Sequence, residues 1–329
     1  MKKRIILICL VFLVLLPFLS MQVMAKPFYE GKTIKLIAAT KPGGGYDFYA
    51  RLIARFMKKY LLGSTIIVKN IPGAGHIIGC NTIYAAKSNG LTFGTFSRGL
   101  PLAQVAGLKG VKFDLSKMTW LGSPATGVFS LVMTKRFKNL DDLRKAEVVR
   151  IASGGVGNQN YIVLELFKEM TGMDNIKNST GYSGTEAELA MMRGEVDGQW
   201  ASWSSSLSFV RDGHGNFIVF NGNKQPKGYE GVPLLRDVVT EEEYKPVINL
   251  LRSVNLLSRP FAGPPGISKD RTKILRDAFA KACHDKELQK LGEKSNHPID
   301  YVDGEEALRL IQDILHLPPK IIKILKQSY

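Results

Sequence analysis

The chain has 329 residues and a net charge of +16, from 45 basic and 29 acidic side chains. That length allows two properly cored domains. Lys and Arg spread along the whole chain favour anionic small molecules or a membrane surface over nucleic acid, and three cysteines are too few for a disulfide-stapled scaffold.

The N-terminus reads MKKR, and Ile5 to Leu19 is apolar throughout. Val23-Met24-Ala25 then places small or apolar residues where a signal peptidase reads. A basic start, a short apolar core and a small-residue exit describe a secretory signal, since a membrane span needs about 20 apolar residues. Export with cleavage near Ala25 is expected, with a retained N-terminal anchor as the alternative. Losing Lys2, Lys3 and Arg4 lowers the net charge to +13. Cys80 and Cys283 remain, as two separate thiols or one bond; spacing does not decide between these.

Strands and helices alternate through most of the remaining chain. Thr33–Ala38 reads as a strand, followed by KPGGGYD and a helix whose Tyr49, Leu52, Ile53, Phe56, Met57 and Tyr60 share one face. Arg51, Arg55, Lys58 and Lys59 fall on the other. A second unit follows: strand Thr65–Lys69, turn NIPGAG, helix His76–Lys87 and strand Leu91–Phe96. From Ser123 a different block begins. Strands are expected at Val128–Met133, Val149–Ala152, Gly198–Ala201 and Phe217–Phe220, with helices at Leu140–Lys145, Gln159–Met170 and Glu186–Arg193. After Asn221 the composition loosens into a Pro- and Gly-rich connection, and helices at Lys269–Cys283, Glu305–Leu315 and Pro319–Gln327 close the chain. The alternation argues for an α/β architecture of parallel sheets covered by helices.

In open α/β sheets ligands bind beyond the carboxyl ends of the strands. Three stretches have that position: Pro42-Gly43-Gly44-Gly45-Tyr46-Asp47, Ser153 to Asn160 (SGGVGNQN), and the weaker Tyr182-Ser183-Gly184-Thr185. Glycines permit close backbone approach, and the first N–H groups of a helix lack internal partners, so an anion can accept from them. Asp47 and Asn158 are equally plain N-caps, so each loop alone also reads as a turn with a cap. Arg98, at the end of a strand, is placed to meet a carboxylate or to be solvated. Trp200 and Trp203 in GQWASWSSS are core residues by default, or one wall of a pocket.

Other chemistries find little support. Gly73 to Gly79 (GAGHIIG) resembles a dinucleotide fingerprint, but Ser97-Arg98 follows the next strand where an acid would hold the ribose. The phosphate-loop and nucleophile-elbow patterns are absent from the sequence. The five histidines show no metal-ligand spacing. No cofactor, metal or catalytic residue is expected.

The motifs KPGGGYDFYARLIARFM, VKNIPGAGHIIG, NGLTFGTFS, IASGGVGNQNYIVLELFKEMTG and MMRGEVDGQWAS resemble, in order and spacing, those of Bug-type solute-binding proteins. These are the extracytoplasmic receptors of tripartite tricarboxylate transporters. The resemblance runs from about Gly31 to the final helices. It implies a two-domain type II periplasmic-binding-protein fold with a ligand cleft between the domains. Domain 1 would comprise 26–122 and 222–329, and domain 2 would comprise 123–221, crossing near Ser123 and Asn221. It also implies a carboxylate held by Gly44, Gly45, Tyr46 and Asp47 from one domain and by Ser153, Gly157, Asn158, Gln159 and Asn160 from the other. Arg98, Ser183 and Trp203 complete the expected site. Two departures stand out: Tyr46 occupies a position often small or hydroxylated in similar proteins, and His76 replaces a glycine common after PGAG.

The sequence therefore reads as a periplasmic, monomeric, non-enzymatic receptor. It would capture a small organic acid by domain closure and deliver it to membrane transporter subunits, with no nucleic-acid partner. A carboxylate sensor for a membrane signalling protein and an exported enzyme acting on a carboxylate are the alternatives.

Overall fold

The computed structural model describes residues 27–43, 45–153, 159–182, 185–295 and 297–327. Residues 1–26 (with the expected signal segment), Gly44, residues 154–158, Ser183-Gly184, Asn296 and residues 328–329 lie outside them. The strands in chain order are β1 (Thr33–Ala38), β2 (Thr65–Asn70), β3 (Thr92–Thr95), β4 (Thr119–Ser123), β5 (Phe129–Thr134), β6 (Val149–Ser153), β7 (Ile176–Thr180), β8 (Gly198–Ser202), β9 (Gly215–Asn221), β10 (Phe261–Gly263) and β11 (Val302–Asp303). They form two sheets, ordered β11-β4-β10-β3-β1-β2 and β7-β6-β8-β5-β9.

Both sheets are mixed, where alternation in the sequence implied parallel ones. In the first, β1 pairs in parallel with β2 and β3, while β10 runs antiparallel to β3 and β4. In the second, β6 is parallel to β7 and β8, and β5 is antiparallel to β8 and β9. The cause is chain routing. β5 comes straight from the first sheet and β10 after the chain has returned from the second, and each runs opposite to the strands on both its sides. After β9 the chain first runs back along the second sheet, with Phe220 bridging to Leu234.

The helix Gly45–Met57 shows how pattern becomes packing. Tyr49, Leu52, Ile53, Phe56 and Met57 are buried, Arg51 and Arg55 between them are exposed, and so are Lys58 and Lys59 just after. Each large apolar side chain of that face contributes roughly 1.5–3 kcal/mol of burial. Tyr60, expected on the same face, is instead 37% exposed. Its hydroxyl donates to Asp285, which also meets Lys59. The connection after Asn221, read as loose, contains the helix Lys245–Leu256, which buries Val247, Leu250, Leu251 and Val254. Pro246 sits in its first turn, where a missing N–H costs nothing.

Cys80 and Cys283 are free buried thiols in different core clusters, so the chain carries two separate thiols. Among the described residues no helix is long and apolar enough to cross a membrane.

Candidate functional site

Because β1, β2 and β3 are parallel, the loops that follow them emerge at one edge of the sheet. They bring Tyr46, His76 and Arg98 together. β10 is antiparallel, so the residues preceding it, Ser258 and Arg259, arrive at that same edge. From the second sheet, the helix Gln159–Thr171 presents Gln159 and Asn160. Tyr46, His76, Arg98, Arg259, Gln159 and Asn160 line a hollow of about 740 Å³, and no Asp or Glu is among its lining residues. A groove of about 840 Å³ lies elsewhere, lined by Lys35, Lys69, Lys87 and Lys112; all its residues come from 35–112, so it receives nothing from the second sheet.

Two guanidinium groups dominate the hollow. Arg98 donates from Nε to Gln159 Oε1 at 2.9 Å, across to the other half of the molecule, and lies over the Phe129 ring at 3.9 Å. Arg259 packs over Tyr46 at 4.7 Å, and its Nη1 donates to the Ser258 carbonyl at 2.8 Å. Both arginines also donate from Nη1 to the same hydroxyl, Ser258 Oγ, at 3.3 Å each. Two positive charges thus share one neutral acceptor, and among the described residues neither forms an ion pair. Burial, aided by the Arg259 charge and opposed by Tyr46, pushes Arg98 down to about 10. It stays charged at neutral pH.

The neighbours of this pair add no negative charge. Tyr46 Oη accepts from the Arg98 backbone N–H at 3.1 Å, and its ring meets His76 edge-on, centroids 4.9 Å apart. Burial, then the Arg259 charge, holds His76 below its ordinary value, so the imidazole is neutral at pH 7. Its Nδ1 is buried with no hydrogen-bond partner among the described residues. His76 also has φ 79°, in the left-handed region, and ends a run with Gly73 (133°), Ala74 (45°) and Gly75 (60°). A glycine would meet that backbone demand without strain; histidine meets it at a cost and gains the Tyr46 contact. Gly45 lets the guanidinium approach closely: a Cβ there would lie 3.0 Å from Arg259 Nη2, which would have to give by a few tenths of an ångström.

The expected site residues divide into groups. Tyr46, Arg98, Gln159 and Asn160 line the hollow. Gly45 borders it through Arg259. Asp47 turns away: its buried carboxylate accepts from Gly43 N (3.0 Å), Arg51 Nε (3.0 Å) and Asn70 Nδ2 (2.8 Å), fastening the loop to β2. Ser153 is likewise occupied, its hydroxyl donating to Asn178 Oδ1 at 2.6 Å. Trp203 packs 6.3 Å from Tyr229, while Trp200 is core, edge-on to Phe167. Neither tryptophan lines the hollow. Gly44, Gly157, Asn158 and Ser183 lie outside the described residues. Arg259 and Ser258 were missed because SRPFAG reads as a connection. The available signal was an Arg directly before a short Pro-led strand.

Residues 49–326 match the profile described as Tripartite tricarboxylate transporter family receptor, TctC. The chain is 26% identical over 225 residues to protein BugT of Bordetella pertussis, covering 64% of this chain and 67% of that protein. Two solved structures share the fold. One is a TctC solute-binding protein from Polaromonas without ligand (TM-score 0.75, 19% identity, covering 91% of this chain and 99% of that one). The other is MatC from Rhodopseudomonas palustris with bound malate (TM-score 0.62, 18% identity, covering 89% and 99%).

Proposed function

Because the chain belongs to the tripartite tricarboxylate transporter receptor family, we propose that it captures a small organic carboxylate between two lobes and delivers it to a membrane transporter of that type. The lobes are built on the two sheets, with the chain crossing between β4 and β5 and returning between β9 and β10. The observation that carries this reading is the acid-free hollow, where Arg98 and Arg259 come from one half and Gln159 and Asn160 from the other. A carboxylate there would accept charge-assisted hydrogen bonds from both halves and so favour the closed arrangement over an open one. The glycine loops, including Gly44, Gly157 and Asn158, would add backbone donors. The working form would be periplasmic, released by cleavage near Ala25. MatC, whose structure holds malate, supports a small organic acid as the cargo class.

The test is a thermal melt of the chain from residue 26 onward against mono-, di-, tri- and aromatic carboxylates. A ligand at 100 times its Kd stabilises the fold by about 2.7 kcal/mol, a readable shift. One responsive chemical class supports the reading. No shift with any acid, after unfolding and refolding to strip co-purified ligand, would overturn it.

A further inference from the structure

We infer that the open edge of β2, with the lysine-lined groove beside it, docks an extended acidic segment of the membrane partner, which adds to the first sheet as a further strand. The inference rests on the transporter-receptor reading above and names the surface by which the receptor meets that partner.

The edge supplies the backbone groups. β2 ends the first sheet and, among the described residues, pairs only with β1. Thr65 N and Ile71 N donate to the Lys32 and Ala38 carbonyls, both at 2.9 Å. The alternation of the ladder therefore turns the N–H groups of Ile66, Val68 and Asn70 outward, away from β1. No residue of β2 is buried, and Ile67 is 54% exposed. An edge of this kind is a template for strand addition.

The groove supplies the charge. Lys35 and Ile37 of β1 and Lys69 of β2 line it from the sheet, and the helix Ile77–Tyr84 lines it from the side, with Ile78 49% exposed. Asn81 on that helix accepts from the Lys112 N–H and donates to the Gly110 carbonyl, which brings Lys112 to the rim. Lys87, just past the helix, is the fourth lysine, and all four are exposed. No Asp or Glu lines the groove, and among the described residues none of the four lysines forms an ion pair. One charge on an edge strand guards it against unwanted pairing, and Lys69 has that position. Lys35, Lys87 and Lys112 lie off the strand, so guarding does not account for them.

Shape and charge together define the occupant. A strand laid along β2 sends alternate side chains to opposite faces of the sheet. On the groove face they meet Lys35 and Lys69, which favours Asp and Glu. On the other face they meet Ile66 and Val68, half-buried against the core, which favours apolar residues. The matching segment thus alternates acidic and apolar residues. A flat bilayer surface would reach the lysines without pairing the β2 edge. The groove shares no lining residue with the hollow, so a partner seated there leaves the cargo site clear.

The experiment is fluorescence anisotropy with three labelled peptides: alternating Glu and Val, alternating Lys and Val, and the Glu–Val peptide N-methylated at every second residue. Each is titrated into the chain from residue 26 onward, as wild type and as the double variant Lys35→Glu, Lys87→Glu, with melts confirming that both fold. Co-sedimentation with phosphatidylglycerol-containing vesicles is the membrane control. Only the unmethylated Glu–Val peptide is expected to bind wild type saturably, more weakly as salt rises. The double variant should bind it at least about tenfold more weakly, because attraction becomes like-charge repulsion. Equal binding of the Glu and Lys peptides, indifference to N-methylation or to charge reversal, or no saturable binding overturns the inference. Lysine-dependent binding to vesicles without peptide binding assigns the patch to lipid and overturns it too. The thermal shift with an organic acid should persist in the double variant, since the hollow is untouched. An acid shift without peptide binding therefore sinks the docking site and leaves the receptor reading standing. Peptide binding without any acid shift overturns the receptor reading and, with it, the partner named here.

Discussion

Replacing Asp47 with alanine separates a loop-fastening role from direct ligand contact. The substitution deletes the acceptor for Gly43 N, Arg51 Nε and Asn70 Nδ2, all within 3.0 Å. Hydrogen bonds to a charged group contribute about 1.5–3 kcal/mol each. Two of the three freed donors are near solvent: Gly43 is exposed, and the Arg51 side chain is 53% exposed and regains water. Discounting those two leaves an expected loss of about 2–3 kcal/mol, read by scanning calorimetry as a fall in Tm of several degrees. The loss should depend on pH. Burial alone would raise the Asp47 pKa, but hydrogen bonds from Arg51, the Gly43 N–H and Asn70, with the Arg51 charge, hold it below its ordinary value. Its stabilisation is therefore present above the unfolded value near 4 and disappears as pH falls through the depressed native value. The gap between wild type and Asp47→Ala should close over that acid window. An unchanged Tm together with lost ligand binding would refute this reasoning, because the carboxylate would then be a ligand contact.

Further outcomes follow from local geometry. At His76, with φ 79°, the His76→Gly variant should be more stable than His76→Ala by about 1 kcal/mol, because both lose the Tyr46 contact and only alanine keeps the left-handed strain. Equal stabilities would show that the strain is absent. The native His76 pKa is depressed, so the unfolded chain takes up its proton first and stability drops as pH falls below about 6.5. Removing the imidazole in His76→Gly should flatten that part of the stability–pH curve. Gly79→Ala should destabilise by more than about 2 kcal/mol, since its Cβ would lie 2.7 Å from the Ile71 carbonyl oxygen and the Ala39 Cα, backbone atoms that cannot give way. A near-neutral urea midpoint for that variant would contradict the packing described.

Local pattern exposed the elements whose signal is local. β1 was readable from TIKLIA, and the helix Gly45–Met57 from its 3/4 spacing, because the apolar pattern of each lies within one short run of sequence. β4 was not readable: TWLGS carries Gly122 at φ 132°, a residue that weakens any strand signal. It forms because β10 and β11 pair on either side of it. The site followed the same division. The loop after β1 and Arg98 were visible as a glycine run and a strand-end cation. Arg259 depends on a contact between residues 160 positions apart in sequence, Arg98 and Ser258. Asp47 was read as an N-cap; it is instead the third residue of the helix Gly45–Met57, and its carboxylate accepts from Asn70 of β2 and does not line the hollow.

The central claim is that a carboxylate closes the two halves around the arginine pair. Amide hydrogen exchange, with and without whichever acid stabilises the melt, tests it most directly. The account predicts new protection at residues 43–46, 97–99 and 258–259 from one half and at 159–162 from the other. Protection confined to the groove lined by Lys35, Lys69, Lys87 and Lys112, or to one half alone, would contradict it.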